Sequence, residues 1–257
     1  MHTIILMYHG ISEAGGGSAN LHCISERSFK DQMNYLAQSA HPVLPWTDMT
    51  TSSAVQSVRA NVGLTFDDAN ASNIGCARIL SRMGYSALFF IPTADLGKNG
   101  RLGKEGLLEL MRHGMGIGSH SHHHVPLVQL SDTKLGEELG RSKAILEDMI
   151  KVPAEHISFP AGSYDARVLD AGRQIGFKYF YTSDWGVNSS RQFSRRVLRR
   201  IPILSGLKIA EFQDILEMRN YVPKRIQFYA KELVKRTLGE QNYLKVRRAF
   251  VKRISDP

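Results

Sequence analysis

The sequence predicts an α/β protein, and three observations carry that prediction. Short apolar runs with strand character recur at residues 3–8, 61–66, 86–91, 116–119, 157–159 and 178–182. Segments with helical periodicity lie between them, at 26–38, 72–82, 104–113, 132–150 and 165–175. Such alternation is the pattern of parallel strands joined by helical crossovers. Finally, the residues capable of chemistry collect just beyond the strand ends, the rim on which barrel-type α/β enzymes assemble their sites.

Each element has a local reason. The first run, Thr3-Ile4-Ile5-Leu6-Met7-Tyr8, is apolar but far too short to span a bilayer, so it reads as a strand. In the second, Val62, Leu64 and Phe66 alternate with smaller residues. Ser25 and Ser131 stand immediately before helical runs and Asp165 opens one, positions where a side-chain oxygen can accept from a free amide of the first turn. Gly15-Gly16-Gly17 interrupts the chain after the first strand and reads as a loop. It lacks the Lys-Ser/Thr and helix context of a phosphate-binding loop.

A chain of 257 residues can form one large domain with a substantial core, and no long-period repeat is apparent. Cys23 and Cys76 are too few for a disulfide framework and read as small buried hydrophobes. No basic leader precedes a long apolar stretch. The expected setting is therefore cytoplasmic, with neither a signal peptide nor a membrane span.

Charge divides the chain. Of the 33 Lys+Arg and 24 Asp+Glu, residues 219–257 hold 11 basic and 3 acidic, leaving 22 and 21 for the body. The body, 1–218, is near neutral, and 219–257 forms a basic extension. Ile226, Tyr229, Ala230, Leu233, Val234 and Leu238 follow helical spacing there, with Lys231, Lys235 and Arg236 elsewhere on the wheel. A basic amphipathic helix suits peripheral contact with an anionic membrane, at the inner face of the membrane for a cytoplasmic chain. No nucleic-acid module accompanies the charge, so nucleic acid is not an expected partner.

The chemistry is concentrated in two segments, Thr65-Phe66-Asp67-Asp68 and His120-Ser121-His122-His123-His124. Alone, an Asp pair after a strand reads most simply as a helix cap, and a His-rich loop as an exposed turn. Together they offer a carboxylate and two imidazoles, a common ligand set for a hydrolytic zinc ion with a position left open for water. The second carboxylate is then free to act as a base.

In order and spacing these segments resemble the polysaccharide deacetylase family (NodB homology, carbohydrate esterase family 4). Thr65 to Asp68 match its Thr-Phe-Asp-Asp motif, and His120, Ser121 and His124 its His-Ser/Thr-x-x-His motif. Phe159-Pro160-Ala161-Gly162-Ser163-Tyr164-Asp165 looks like the third motif. Leu6-Met7-Tyr8-His9-Gly10-Ile11 and Thr182-Ser183-Asp184-Trp185-Gly186-Val187-Asn188 extend the likeness over roughly residues 3 to 205. It looks closest to members acting in exopolysaccharide synthesis.

The resemblance implies a distorted, incomplete, seven-stranded (β/α) barrel. It implies Asp68, His120 and His124 as metal ligands and Asp67 as the base. The amide of Ala161, in the loop shaped by Pro160 and Gly162, would meet the oxyanion. Tyr164, Asp184 and Trp185 would lie near the sugar, although Asp165 also fits a helix cap. The metal is expected to be zinc, with cobalt, nickel or iron compatible with the same donors.

Two departures accompany the likeness. The family's late Leu-x-His acid is absent, since no histidine follows His156 and the corresponding stretch reads Arg200-Ile201-Pro202-Ile203-Leu204. The arginine that tunes the base in the third motif is also missing, with Ser158 near its place. His9, at the end of the first strand, is the candidate acid, and Asp67 could itself return the proton. The expected activity is removal of N-acetyl groups from an amino sugar in a polysaccharide or lipid-linked glycan. O-deacetylation or deformylation by the same site, and a sugar-binding or scaffold protein without turnover, are the alternatives.

Overall fold

The computed structural model describes residues 2–12, 21–50, 59–219, 221–223, 226 and 230. The chain divides into two units, Met1–Glu217 and Met218–Pro257. All that follows concerns the first. The amphipathic extension expected over 219–257, like the glycine run at 15–17, lies almost wholly outside the described residues.

Strand β1 (Thr3–Tyr8) has all six residues buried, as does β4 (Asn61–Phe66). Burial on both faces explains why β1 is almost continuously apolar, whereas β4 alternates its apolar residues with Asn61, Gly63 and Thr65, all of them buried too. A short pair, β2 (Gly10–Ser12) and β3 (Cys23–Ser25), lies between them. The remaining strands are β5 (Leu88–Ile91), β6 (Gly116–Ser119), β7 (His156–Ser158), β8 (Tyr179–Tyr181), β9 (Val197–Leu198) and β10 (Ile201–Pro202). Eight of them form one sheet in the order β10-β1-β4-β5-β6-β7-β8-β9, with every pairing parallel.

The two edge strands reveal how the sheet curls. β9 pairs with β8 and β10 with β1, yet only Arg199 and Arg200 separate them in the chain. Two intervening residues allow at most about 11 Å between the flanking Cα atoms, so the edges must meet. One split segment closes the ring. Counted as a single interrupted strand, it gives the seven-stranded incomplete barrel that the sequence resemblance implied.

The helices are α1 (Glu26–Gln38), α2 (Asn73–Arg82), α3 (Lys104–Arg112), α4 (Asp132–Ile150), α5 (Ala166–Ile175), α6 (Ser190–Arg195) and α7 (Ile209–Leu216). Ser25 caps α1 through the Ser28 amide at 3.1 Å, and Asp165 caps α5 through that of Val168 at 2.9 Å. Between the helices and the outer face of the sheet lies a layer containing Leu135, Leu139, Ile157, Val168 and Phe180. A second cluster, including Ile5, Leu88, Phe90, Tyr181 and Leu198, fills the barrel interior. Neighbouring residues thus serve opposite layers, as Phe180 and Tyr181 do, because side chains alternate along a strand. The interior is tight at β6: a Cβ on Gly118 would come within 2.8 Å of the Phe90 ring. Among the described residues, no helix is long and apolar enough to cross a membrane.

Candidate metal centre and active site

Every residue singled out by the sequence falls on the same end of the barrel, beyond the C-terminal ends of the strands. Asp67 and Asp68 follow β4, His120 to His124 follow β6, and Pro160 to Gly162 form a short 3-10 turn after β7. Asp184 lies after β8, and His9 directly after β1.

Asp68, His120 and His124 converge, with one ligand atom from each lying within 4.8 Å of the others. His124 Nε2 is 3.2 Å and His120 Nε2 3.6 Å from Asp68 Oδ1. Donors bound about 2.0–2.2 Å from a tetrahedral ion are about 3.4 Å apart by simple geometry, so these three residues fit a zinc-like cation. The tautomer fits as well. His120 Nδ1 lies 3.0 Å from the Ser158 carbonyl, which can only accept, so Nδ1 carries the proton and Nε2 presents its lone pair to the site. The Ser158 hydroxyl lies against the same nitrogen at 2.6 Å.

Electrostatics follow from this crowding. Burial lowers the His120 pKa, against the pull of Asp67 and Asp68. Asp68 loses solvation, but its hydrogen bond with His124 and the nearby imidazoles hold its carboxyl well below the usual range. The same hydrogen bond raises His124.

Asp67 is held by a residue that the sequence motifs did not assign. Arg200 is fully buried, and its guanidinium grips Asp67 with two parallel bonds, Nη1 to Oδ1 at 2.7 Å and Nη2 to Oδ2 at 2.8 Å. Its Nε donates to the Thr182 carbonyl at 3.0 Å, and its face lies over Phe90, 5.3 Å from the ring centroid. Burial alone would raise the Asp67 pKa; Arg200 outweighs it, and the carboxyl is lowered. The arginine that seemed missing thus comes from the split strand that closes the barrel, while Ser158 holds His120. An arginine inside the apolar run Val197 to Ile203 was the available signal.

The other expected residues take varied positions. His9 is partly buried, with Nδ1 enclosed and without a partner among the described residues. Burial lowers its pKa to about 4, against the attraction of Asp67 and Asp68. Ala161 is exposed in a left-handed conformation (φ 53°). The next two amides, of Gly162 and Ser163, are committed to Phe159 and Pro160, whereas its own N–H has no partner among the described residues. Tyr164 stacks on Phe159 and donates to Asp184 Oδ2 at 2.5 Å. Trp185 is 7% exposed and belongs to the core, so its ring is not laid open as a sugar platform. Asp165 is the α5 cap.

Asp68, Ala69, Ser121, His124 and Ala161 all have positive φ, a conformation uphill for residues with a Cβ. Elsewhere in the barrel, Lys151 and Arg196 adopt it as caps that terminate helices. At the rim no helix ends there. The strained backbone belongs to the site.

The parallel barrel thus carries two imidazoles and one carboxylate that could hold a metal ion, beside a buried carboxylate gripped by an arginine. Residues 55–180 match the polysaccharide deacetylase family model. The chain is 28% identical over 217 residues to the Bacillus subtilis protein YxkH, named after the same family, covering 83% of this chain and 75% of that one. Solved structures share the fold. The Streptococcus pyogenes deacetylase PplD superposes with a TM-score of 0.74 at 23% identity, over 84% of this chain and 98% of that one. A de-N-acetylase from Aggregatibacter actinomycetemcomitans does so at 0.73 and 17%, over 84% of this chain and 100% of that one. In sequence the chain is thus similar to the polysaccharide deacetylase family.

Proposed function

We propose that this protein is a metal-dependent hydrolase that removes N-acetyl groups from an amino sugar in a polysaccharide or lipid-linked glycan. The observation that carries this reading is the convergence of Asp68, His120 and His124 beside Asp67. Those three would hold the ion, most readily zinc. When bound, such an ion polarises an amide carbonyl and lowers the pKa of water, which a sluggish electrophile such as an acetamide requires.

The chain's own residues do the rest. Asp67, kept ionised by Arg200, takes a proton from the attacking water. The free Ala161 N–H donates to the developing oxyanion. As the C–N bond breaks, the nitrogen needs a proton, and protonated Asp67 supplies it. A carboxyl held at low pKa is a poor sink but a willing donor, so one group serves both steps. His9, beside the same carboxylates, is the second candidate donor. Asp184, held by Tyr164, borders the substrate side of the rim.

The basic extension supports a substrate carried on a membrane. Each Lys or Arg near an anionic surface adds about 1 kcal/mol. Exopolysaccharide assembly is the setting that joins these features.

The test measures metal content by elemental analysis in the wild type, Asp68→Ala and His124→Ala, and acetate release from N-acetylated amino-sugar oligomers and glycolipids. Stoichiometric metal lost in both variants, with acetate released only by the wild type, is the expected result. A wild type that stays empty after dialysis against zinc sinks the hydrolase reading. Failure to bind anionic liposomes removes the membrane-borne substrate alone.

A further inference from the structure

We propose that Glu138, on α4, is a positioning residue for the metal-ligand loop and above all for His124; the inference rests on the metal-centre reading given above. The two imidazoles of that centre are held differently. His120 is 2% exposed, and its far nitrogen is tied to Ser158. The His124 side chain is 39% exposed; its ring leans on that of His120, 4.8 Å between centroids, and Asp68 is its one hydrogen-bonding partner among the described residues. Its place is therefore set by its backbone. That backbone is strained, with Ser121 at φ 62° and His124 at φ 58°.

Two sets of contacts hold the loop. On one side the amides of Thr93 and Ala94 donate to the carbonyls of Ser121 and His122, at 3.2 and 2.9 Å. On the other stands Glu138. One of its carboxylate oxygens accepts the backbone N–H of His123, and the other accepts ring Nδ1–H of the same residue at 2.8 Å. His123 immediately precedes His124, so this grip fixes the peptide from which the ligand departs.

Glu138 has no other evident reason to be where it is. It is 6% exposed and lies on the face of α4 that also buries Leu135, Leu139 and Leu146, where an apolar residue would satisfy the helical period. It forms no ion pair with Lys or Arg among the described residues. A buried carboxylate is costly unless its oxygens are used, and here both are used on the loop. One turn further along the same face, Ser142 bonds Ser119 at 2.6 Å, and Ser119 accepts the Ser121 amide at 3.1 Å. The helix face is built around the loop.

The test is a Co2+ titration of the full-length protein, followed by visible ligand-field absorption, with folding checked by circular dichroism. Removing a supporting contact of a metal site weakens affinity by about 10- to 100-fold. Glu138→Ala is expected to fall in that range and to alter the Co2+ spectrum. Glu138→Gln keeps a carbonyl for the His123 amide, and His123→Ala keeps the amide bond itself, so both are expected to lose less. Glu137→Ala, exposed on the same helix, should match the wild type. A folded Glu138→Ala with wild-type affinity and spectrum overturns the proposal, as does a His123→Ala that loses more than Glu138→Ala. Should Glu138→Ala fail to fold, Glu138→Gln decides: weakened binding supports the proposal and unchanged binding overturns it. A wild type that binds no Co2+, or an Asp68→Ala that binds as well as the wild type, removes the metal-centre reading and this inference with it. Wild-type binding that depends on Asp68 but not on Glu138 removes the inference alone.

Discussion

The two ends of the barrel each enclose a buried imidazole, and the contrast between them explains where chemistry resides. At the C-terminal rim, His120 lies 3.8 Å from Asp67 and 3.6 Å from Asp68, with its Nδ1 anchored and its Nε2 directed at the carboxylates. At the opposite end, His156 stacks on Tyr179 at 4.9 Å, meets the edge of Trp46, and bonds the Tyr181 hydroxyl at 3.2 Å. Burial lowers the pKa of both. Only the first faces groups with which it could share a cation. Whether a histidine could serve as a ligand depends on the company it keeps, and the strand ends supply that company because the loops there can adopt strained turns.

The largest effect should come from Asp67, the proposed base. Asp67→Asn keeps the shape and the bonds that an amide oxygen can accept, but it cannot take a proton. A lost general base costs about 10²- to 10⁴-fold in rate, so kcat for acetate release should fall by that amount while metal content holds. Metal loss in Asp67→Asn would reassign this carboxylate as a ligand.

Next comes the arginine that supports it. Arg200→Met leaves Asp67 buried without its partner, which typically costs about 3–5 kcal/mol. Denaturant unfolding should register that loss. The sign of the pH dependence follows from the lowered Asp67 pKa. Its stabilising contribution is present above the unfolded carboxyl value of about 3.9 and fades as pH falls through the lower native value. Without Arg200 the carboxyl should titrate higher, moving the acid limb of the activity profile upward. Arg200→Lys, which lacks the planar fork, should not restore the wild-type profile.

The opposite end offers a sharper comparison. His156 has a native pKa lowered to about 4 by burial, while an unfolded chain titrates near 6.5. Between those values the unfolded state binds the extra proton, so stability falls as pH drops from about 6.5 to about 4, by about 3 kcal/mol from this group. In metal-free protein, His156→Phe should flatten that slope without changing Co2+ affinity. An unchanged slope would place the titration elsewhere, and altered Co2+ affinity would mean that the two ends communicate.

How far the sequence revealed this arrangement depends on the distance over which each feature acts. Helices α1 and α4 were legible to the residue, because their caps and apolar periods are local. Asp67, Asp68, His120 and His124 were legible because two compact motifs carry them. The strands β9 and β10 were not, since two-residue strands leave no period to read. Arg200 was seen only as the place of a missing histidine. Its partner lies 133 residues earlier, and no local rule joins them. Ser158 was noted as a substitution, yet its service to His120 appears only once β6 and β7 pair.

That service sets the smallest of the expected effects and the finest test of the contrast. Ser158 touches His120 Nδ1 through both its carbonyl and its hydroxyl. Ser158→Ala removes only the hydroxyl, and the carbonyl still fixes the tautomer. The loss in Co2+ affinity should therefore sit near the lower end of the range for supporting contacts, about tenfold. The wild-type ligand-field spectrum should be kept, because the donor atoms do not change. A hundredfold loss, or an altered spectrum, would mean that the hydroxyl and not the carbonyl orients the ring. The proton on Nδ1 would then be held by a side chain that can rotate. The rim would depend on a movable group where the opposite end, with His156 locked between Tyr179 and Trp46, does not.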